Sequence, residues 1–164
     1  MAPAQLNSSA TLDTGTVSRA LAPVPDLARA FDALWDAAWT QPHVSASVLE
    51  LCRLRIAQMH GATAELAVRN PRAIQAGLDD AKVNALLKTR SAAGRHFTDG
   101  ERAALELAEL HAMDPGAITD EIADEVKAHF GEKGLVALIE ALGFIDARIR
   151  VSRMLPQFDL EARA

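Results

Sequence analysis

The sequence predicts an all-α domain, a compact bundle of about six or seven helices. Three observations carry that expectation. Apolar residues recur at three- and four-residue spacing through most of the chain. No segment alternates strictly enough to read as a strand. Alanine and leucine dominate the apolar content while aromatics make up only 4%, with no Tyr, as in closely packed helices. At 164 residues there is enough chain for one domain with its own core. No long internal repeat divides it.

Residues 1–25 are rich in Ala, Pro, Ser and Thr and show no sustained period. They read as an N-terminal arm, mobile or ordered only against a partner subunit. The domain is expected over 26–155, followed by a tail over 156–164. From Asp26 to Trp39, Leu27, Phe31, Leu34, Trp35 and Ala38 fall at helical spacing, and Gln41-Pro42 ends that helix. Ser45 or Ser47 can cap the next one, which runs to His60 and stops at Gly61. Its apolar residues, from Val48 to Met59, surround most of its circumference, which places it at the centre of the fold.

Ala62 to Arg69 continues as a short helix, Asn70-Pro71 restarts the chain, and Gly77 ends the second piece. Asp79 or Asp80 opens a helix through Leu87, and Thr89 to Phe97 reads as a loop. Thr98 with Glu101 fits a capping box for a helix to about Met113, broken by Asp114-Pro115-Gly116. Thr119 caps a helix to Phe130 that Gly131 ends. The last helix runs from about Lys133 to Leu155 on a stripe of Leu135, Leu138, Ile139, Leu142, Ile145 and Ile149, and Pro156 stops it.

Composition excludes several function classes. A net charge of -5, with basic residues scattered, gives no electrostatic reason for nucleic acid or an anionic membrane as partner. No apolar run is long enough to span a bilayer. No basic region precedes an apolar stretch near the start, which argues against a signal peptide and for a cytoplasmic protein. The single cysteine, Cys52, allows no intramolecular disulfide and argues against a Cys-based zinc site. His43, His96, His111 and His129 show no metal spacing and read as structural. No metal or cofactor is expected.

The informative stretch is Glu50-Leu-Cys-Arg-Leu-Arg-Ile-Ala-Gln-Met-His60-Gly61-Ala-Thr-Ala-Glu65-Leu-Ala-Val-Arg69. It resembles the signature of the carboxymuconolactone decarboxylase / alkylhydroperoxidase D (AhpD-like) superfamily: a Glu in an apolar helix, a turn, then Cys-x-x-Cys-x-x-x-His. Glu50 lies twelve residues before the first Cys position, as the family's glutamate does. Phe97-Thr-Asp-Gly-Glu-Arg-Ala-Ala-Leu-Glu-Leu-Ala is similar to the following helix. Phe130-Gly-Glu-Lys-Gly-Leu-Val-Ala-Leu and Phe144-Ile-Asp-Ala-Arg-Ile-Arg150 resemble the last one. The resemblance covers about Val44 to Leu155. It implies an oligomer, with a dimer as building unit and a trimer or hexamer as further options. Trp35, Trp39 and the apolar first helix are the expected interface material.

The departures from that signature matter most. The two cysteine positions hold Ala62 and Glu65, and the histidine position holds Arg69. Peroxide reduction in this family needs a low-pKa thiolate and a second thiol to resolve it, so dithiol peroxidase chemistry is not expected. The decarboxylase branch reads like Gly-x-x-x-Glu-Leu-x-x-His. Gly61-Ala-Thr-Ala-Glu65-Leu66-Ala-Val-Arg69 keeps the Gly and the Glu-Leu but not the His.

Glu50, Glu65 and His60 are therefore the candidate catalytic residues, and Arg69 and Arg53 the candidates for holding a substrate anion. A buried Glu50 must be paired or perturbed, so it is a general base or relay, or else half of a structural pair with Arg53 or Arg69. Glu65 and Arg69 form an i,i+4 pair, on the surface or on a pocket floor. His60 is a helix-terminal cation, or an acid or base beside Glu50. Asp146 and Arg150 form a further i,i+4 pair.

Three functions stay open. The first is a cofactor-independent lyase, decarboxylase or isomerase on a small carboxylate or lactone. The second is a non-catalytic ligand-binding or oligomeric scaffold protein. The third is a residual one-cysteine peroxidase using Cys52. An open pocket with an unpaired Glu50 or Glu65 favours the first, and fully paired charges favour the second.

Overall fold

A computed structural model of the chain describes residue 17 and residues 21–89 and 96–154. Among these residues are seven α-helices, one 3-10 turn and no strand. The helices are α1 (Pro25–Thr40), α2 (Ala46–Met59), α3 (Thr63–Leu66), α4 (Pro71–Gln75), α5 (Asp80–Lys88), α6 (Asp99–Met113) and α7 (Asp120–Met154). The expected tail over 156–164 lies outside the described residues, as does most of the N-terminal arm. Val17, from that arm, is buried.

The starts of the helices follow from their caps. The side chains of Ser45, Asn70 and Asp79 accept from the amides of Val48, Arg72 and Lys82, each satisfying a donor that has no partner inside its helix. Thr98 and Glu101 form the reciprocal capping box of α6. α3 is shorter than expected, ending at Leu66 rather than near Arg69. The last two expected helices join end to end in α7, with a break at Gly131. There the backbone sits at φ 70 and ψ 175, a region open essentially to glycine alone.

α2 touches each of the other six helices. Every residue from Val48 to Ala57 is buried, including three charged ones. One side of α2 enters the main core through Leu49, Cys52 and Ile56, against α1, α6 and α7. Leu51 and Leu54, on its other side, meet Ala73, Val83, Leu86 and Leu105 from α4, α5 and α6. Each such fully buried aliphatic side chain contributes about 1.5–3 kcal/mol relative to its exposed state.

Trp35 and Trp39 correct one expectation. Both are buried in the main core rather than offered as an interface. Their rings lie 5.4 Å apart, and Phe144 stands 5.8 Å from Trp35. The outward residues of α1 are Leu27 and Leu34. No described helix is long and apolar enough to cross a membrane.

Candidate functional site

Two of the three buried charged residues of α2, Glu50 and Arg53, reach a crevice closed by α3, by the stretch from Ala67 to Asn70, and by α7. The third, Arg55, turns instead to Glu109 and the Thr89 carbonyl. Arg53 is the hub of the crevice. Its Nε donates to Glu50 Oε2 at 2.8 Å and its Nη2 to Glu50 Oε1 at 2.7 Å. Nη2 also donates to the Val68 carbonyl at 3.0 Å. Nη1 donates to the Glu65 carbonyl at 2.9 Å and to Glu65 Oε2 at 3.0 Å. A guanidinium has five N–H bonds, and here each has an acceptor. Arg53 and Glu50 are both 0% exposed. Burial pulls the Arg53 guanidinium down, but Glu50 and Glu65 outweigh it and hold the group above its ordinary value.

Glu50 accepts a third hydrogen bond, from the Asn70 amide at 3.1 Å. Glu65, also buried, receives Arg148 Nη1 at 2.8 and 2.7 Å on its two oxygens, besides Arg53. The Arg148 guanidinium in turn lies 4.7 Å from the centroid of a Trp35 ring, at cation–π distance. Both carboxylates thus carry three hydrogen-bond contacts. The cluster ties α2, α3 and α7 together and joins residues 83 positions apart in the chain.

The structure brings Glu50, Arg53 and Glu65 together, but it rearranges one expected pair. Glu65 does not pair with Arg69 as i,i+4 neighbours. α3 ends at Leu66, so the helical turn that would align the two side chains is never completed. Arg69 is buried and turns its Nη1 to the carbonyls of Leu66 and Val68, both at 2.8 Å. Burial lowers its pKa from the ordinary guanidinium value, with Glu50 partly opposing the shift. His60 lies apart from this cluster's hydrogen bonds. Its Nε2 meets Asp146 Oδ1 at 2.5 Å, and Asp146 Oδ2 accepts from Arg150 at 2.8 Å, so the expected Asp146–Arg150 pair is present. Arg148 is the cluster member that the sequence reading missed. Its signal was an arginine at i+3 from Ile145, on the stripe that otherwise carries Leu138, Leu142 and Ile145 into the core.

Neither of the two positions that correspond to the family's cysteines holds a thiol. Ala62 adds its methyl group to the main core. Cys52 is buried in α2 with its thiol 3.5 Å from the Ala104 carbonyl, and burial pushes its pKa up to about 12. Since the thiolate is the reactive form, a thiol shifted in this direction carries little of it near neutral pH. This speaks against the one-cysteine peroxidase. Among the described residues no group of His, Cys, Asp and Glu is placed to hold a metal ion. A separate open polar cleft lies where the N-termini of α2 and α6 converge, bordered by Ser45, Ser47, Thr98, Asp99, His129 and Phe130.

Comparisons with known proteins agree with this architecture. Residues 25–110, more than half of the chain, match the family described as the carboxymuconolactone decarboxylase family. No curated protein matches the chain by sequence. One similar solved structure is an Agrobacterium tumefaciens protein of unknown function, suggested to be the antioxidant defence protein AhpD. It superposes with a TM-score of 0.66 at 20% identity, over 81% of this chain and 90% of that one. Another is the debrominase Bmp8, as a cysteine-to-alanine variant in complex with 2,3,4-tribromopyrrole. Its TM-score is 0.60 at 18% identity, over 90% of this chain and 91% of that one. At these identities the likeness concerns the fold.

Proposed function

Because the chain belongs to the carboxymuconolactone decarboxylase family, we propose that it is a non-redox member that binds a small organic carboxylate or lactone within its helical bundle. One observation carries this reading. Glu65, at the position where the family resemblance places the second thiol, is a carboxylate already holding Arg53 and Arg148. A thiol exchanges electrons with a peroxide; a carboxylate does not. Three of its roughly four acceptor sites are already taken by guanidinium donors. Glu50 likewise accepts three hydrogen bonds, two from Arg53 and one from the Asn70 amide.

Proton transfer needs a group within hydrogen-bond reach of the substrate. The lyase reading therefore asks Glu50 or Glu65 to take up a proton and so release its charge pairing with Arg53, leaving a buried guanidinium less well compensated. Binding requires no such release. The neighbour that holds tribromopyrrole supports the reading in one respect: this fold can house a small organic ring. Assembly as a homo-oligomer is part of the proposal, supported by the exposed Leu27 and Leu34 on α1 and Val136 and Ile139 on α7.

The test is incubation with a panel of small carboxylates and their lactones, followed by proton NMR. Ligand lines are expected to broaden on addition of the protein while no product forms. Turnover that Glu50→Gln abolishes, with the fold and assembly unchanged, would replace the binding reading with the lyase.

A further inference from the structure

We propose that the Nε/Nη2 edge of Arg69 is a carboxylate-binding fork, and that the ligand it takes is a small monocarboxylate rather than a lactone. The inference deepens the binding reading above and rests on it. Arg69 is 5% exposed. Its Nη1 has two hydrogens, and the Leu66 and Val68 carbonyls take both. Its Nε is fully buried and has no acceptor among the described residues. No acceptor or carboxylate among the described residues engages Nη2 either. The unused donors are thus the two parallel N–H bonds along one side of the guanidinium, and they match the two oxygens of a carboxylate.

The same protein shows this edge occupied. Arg53 presents Nε and Nη2 to the two oxygens of Glu50, at 2.8 and 2.7 Å. Among the described residues Arg69 has the equivalent edge without the equivalent acid. Glu50 and Asp80 act on Arg69 only at longer range, and Glu50 is directed at Arg53. The plane of the Arg69 guanidinium is fixed by its two carbonyl contacts. Those carbonyls are available because α3 ends at Leu66, before they could be used within a helix. A fork held in one orientation loses little freedom when a ligand arrives. A lactone carries no pair of anionic oxygens to fill both donors, whereas a carboxylate does.

The experiment uses the full chain with benzoate, methyl benzoate and inorganic phosphate as probes. The ¹⁵N-labelled protein is titrated while the Arg69 Nε–H resonance is followed, and affinities are measured by calorimetry. Benzoate is expected to bind and move that resonance, and methyl benzoate is expected to do neither. Phosphate is expected to bind more weakly than benzoate. Arg69→Gln is expected to lower benzoate affinity by roughly 10–100-fold. Arg69→Lys, which keeps the charge but not the fork, is expected to lose most of the same affinity. Arg72→Gln, at an exposed arginine paired with Asp36, is expected to change nothing. Unchanged benzoate affinity in Arg69→Gln, or an Arg69 Nε–H that benzoate does not move, would overturn the assignment. If the methyl ester bound and benzoate did not, the fork would fail while the binding reading stood. If no carboxylate or lactone of any kind bound, both would fail.

Discussion

Arg53→Met is expected to lower the unfolding free energy by about 5 kcal/mol, the upper end of the range for breaking a buried ion pair. The cause is what it leaves behind. Glu50, with no exposed surface, would keep only the Asn70 amide as donor. Glu65 would lose one of its two guanidiniums, the Glu65 carbonyl would lose its guanidinium donor, and the Val68 carbonyl would keep only Arg69. A domain typically has about 5–15 kcal/mol to lose, so this variant is expected at the edge of folding. Arg53→Lys separates charge from geometry. An ammonium offers three donors from one point and cannot meet acceptors spread around a planar fork. A loss of about 2–4 kcal/mol is expected despite the retained charge. Arg53→Met combined with Glu50→Leu removes the stranded carboxylate and is expected to recover part of the loss. Urea unfolding monitored by far-UV circular dichroism measures all three. A lysine variant as stable as the parent would show that the five hydrogen bonds do not hold this crevice.

Glu65→Ala is expected to cost about 3–5 kcal/mol, a fall in melting temperature of roughly 6–20 °C for a domain of this size. Arg148 would lose the carboxylate on which its Nη1 makes both contacts, leaving that guanidinium stacked on Trp35 inside the fold. The decisive comparison is the double variant Glu65→Leu with Arg148→Met. Removing both charges exchanges an ion pair for apolar packing, which is often neutral or stabilising. It is expected to be more stable than Glu65→Leu alone, and calorimetric melting of the two proteins tests this. If Glu65→Ala melted within a degree of the parent, the reading of Glu65 as a carboxylate held by Arg53 and Arg148 would fall.

Much of the fold was legible because its helices are punctuated locally. Ser45, Asn70, Asp79 and Thr98 cap the helices they precede, and Gly131 breaks the chain where its position in the pattern suggested. These signals act over three or four residues, which a single sequence displays directly. The site was legible only in part. Glu50 and Arg53 are i,i+3 neighbours, so their pairing could be anticipated. The partners of Glu65 could not. One lies 12 residues away and the other 83, and only the folded chain sets such distances. The local alternative, Arg69, was lost when α3 stopped short of it. Trp35 and Trp39 misled for a related reason. Periodicity shows that one face of α1 is apolar, but not whether α7 or another subunit covers it.

In this crevice a carboxylate held by two guanidiniums stands where the family resemblance places a thiol, so thiol-dependent peroxide reduction is not expected. The most direct measurement is hydroperoxide consumption by the purified chain with a dithiol as electron donor, run beside its Cys52→Ala variant. Both proteins are expected to show only the rate of buffer and dithiol alone. Protein-dependent consumption of the hydroperoxide in either one, at the expense of the dithiol, would contradict that expectation.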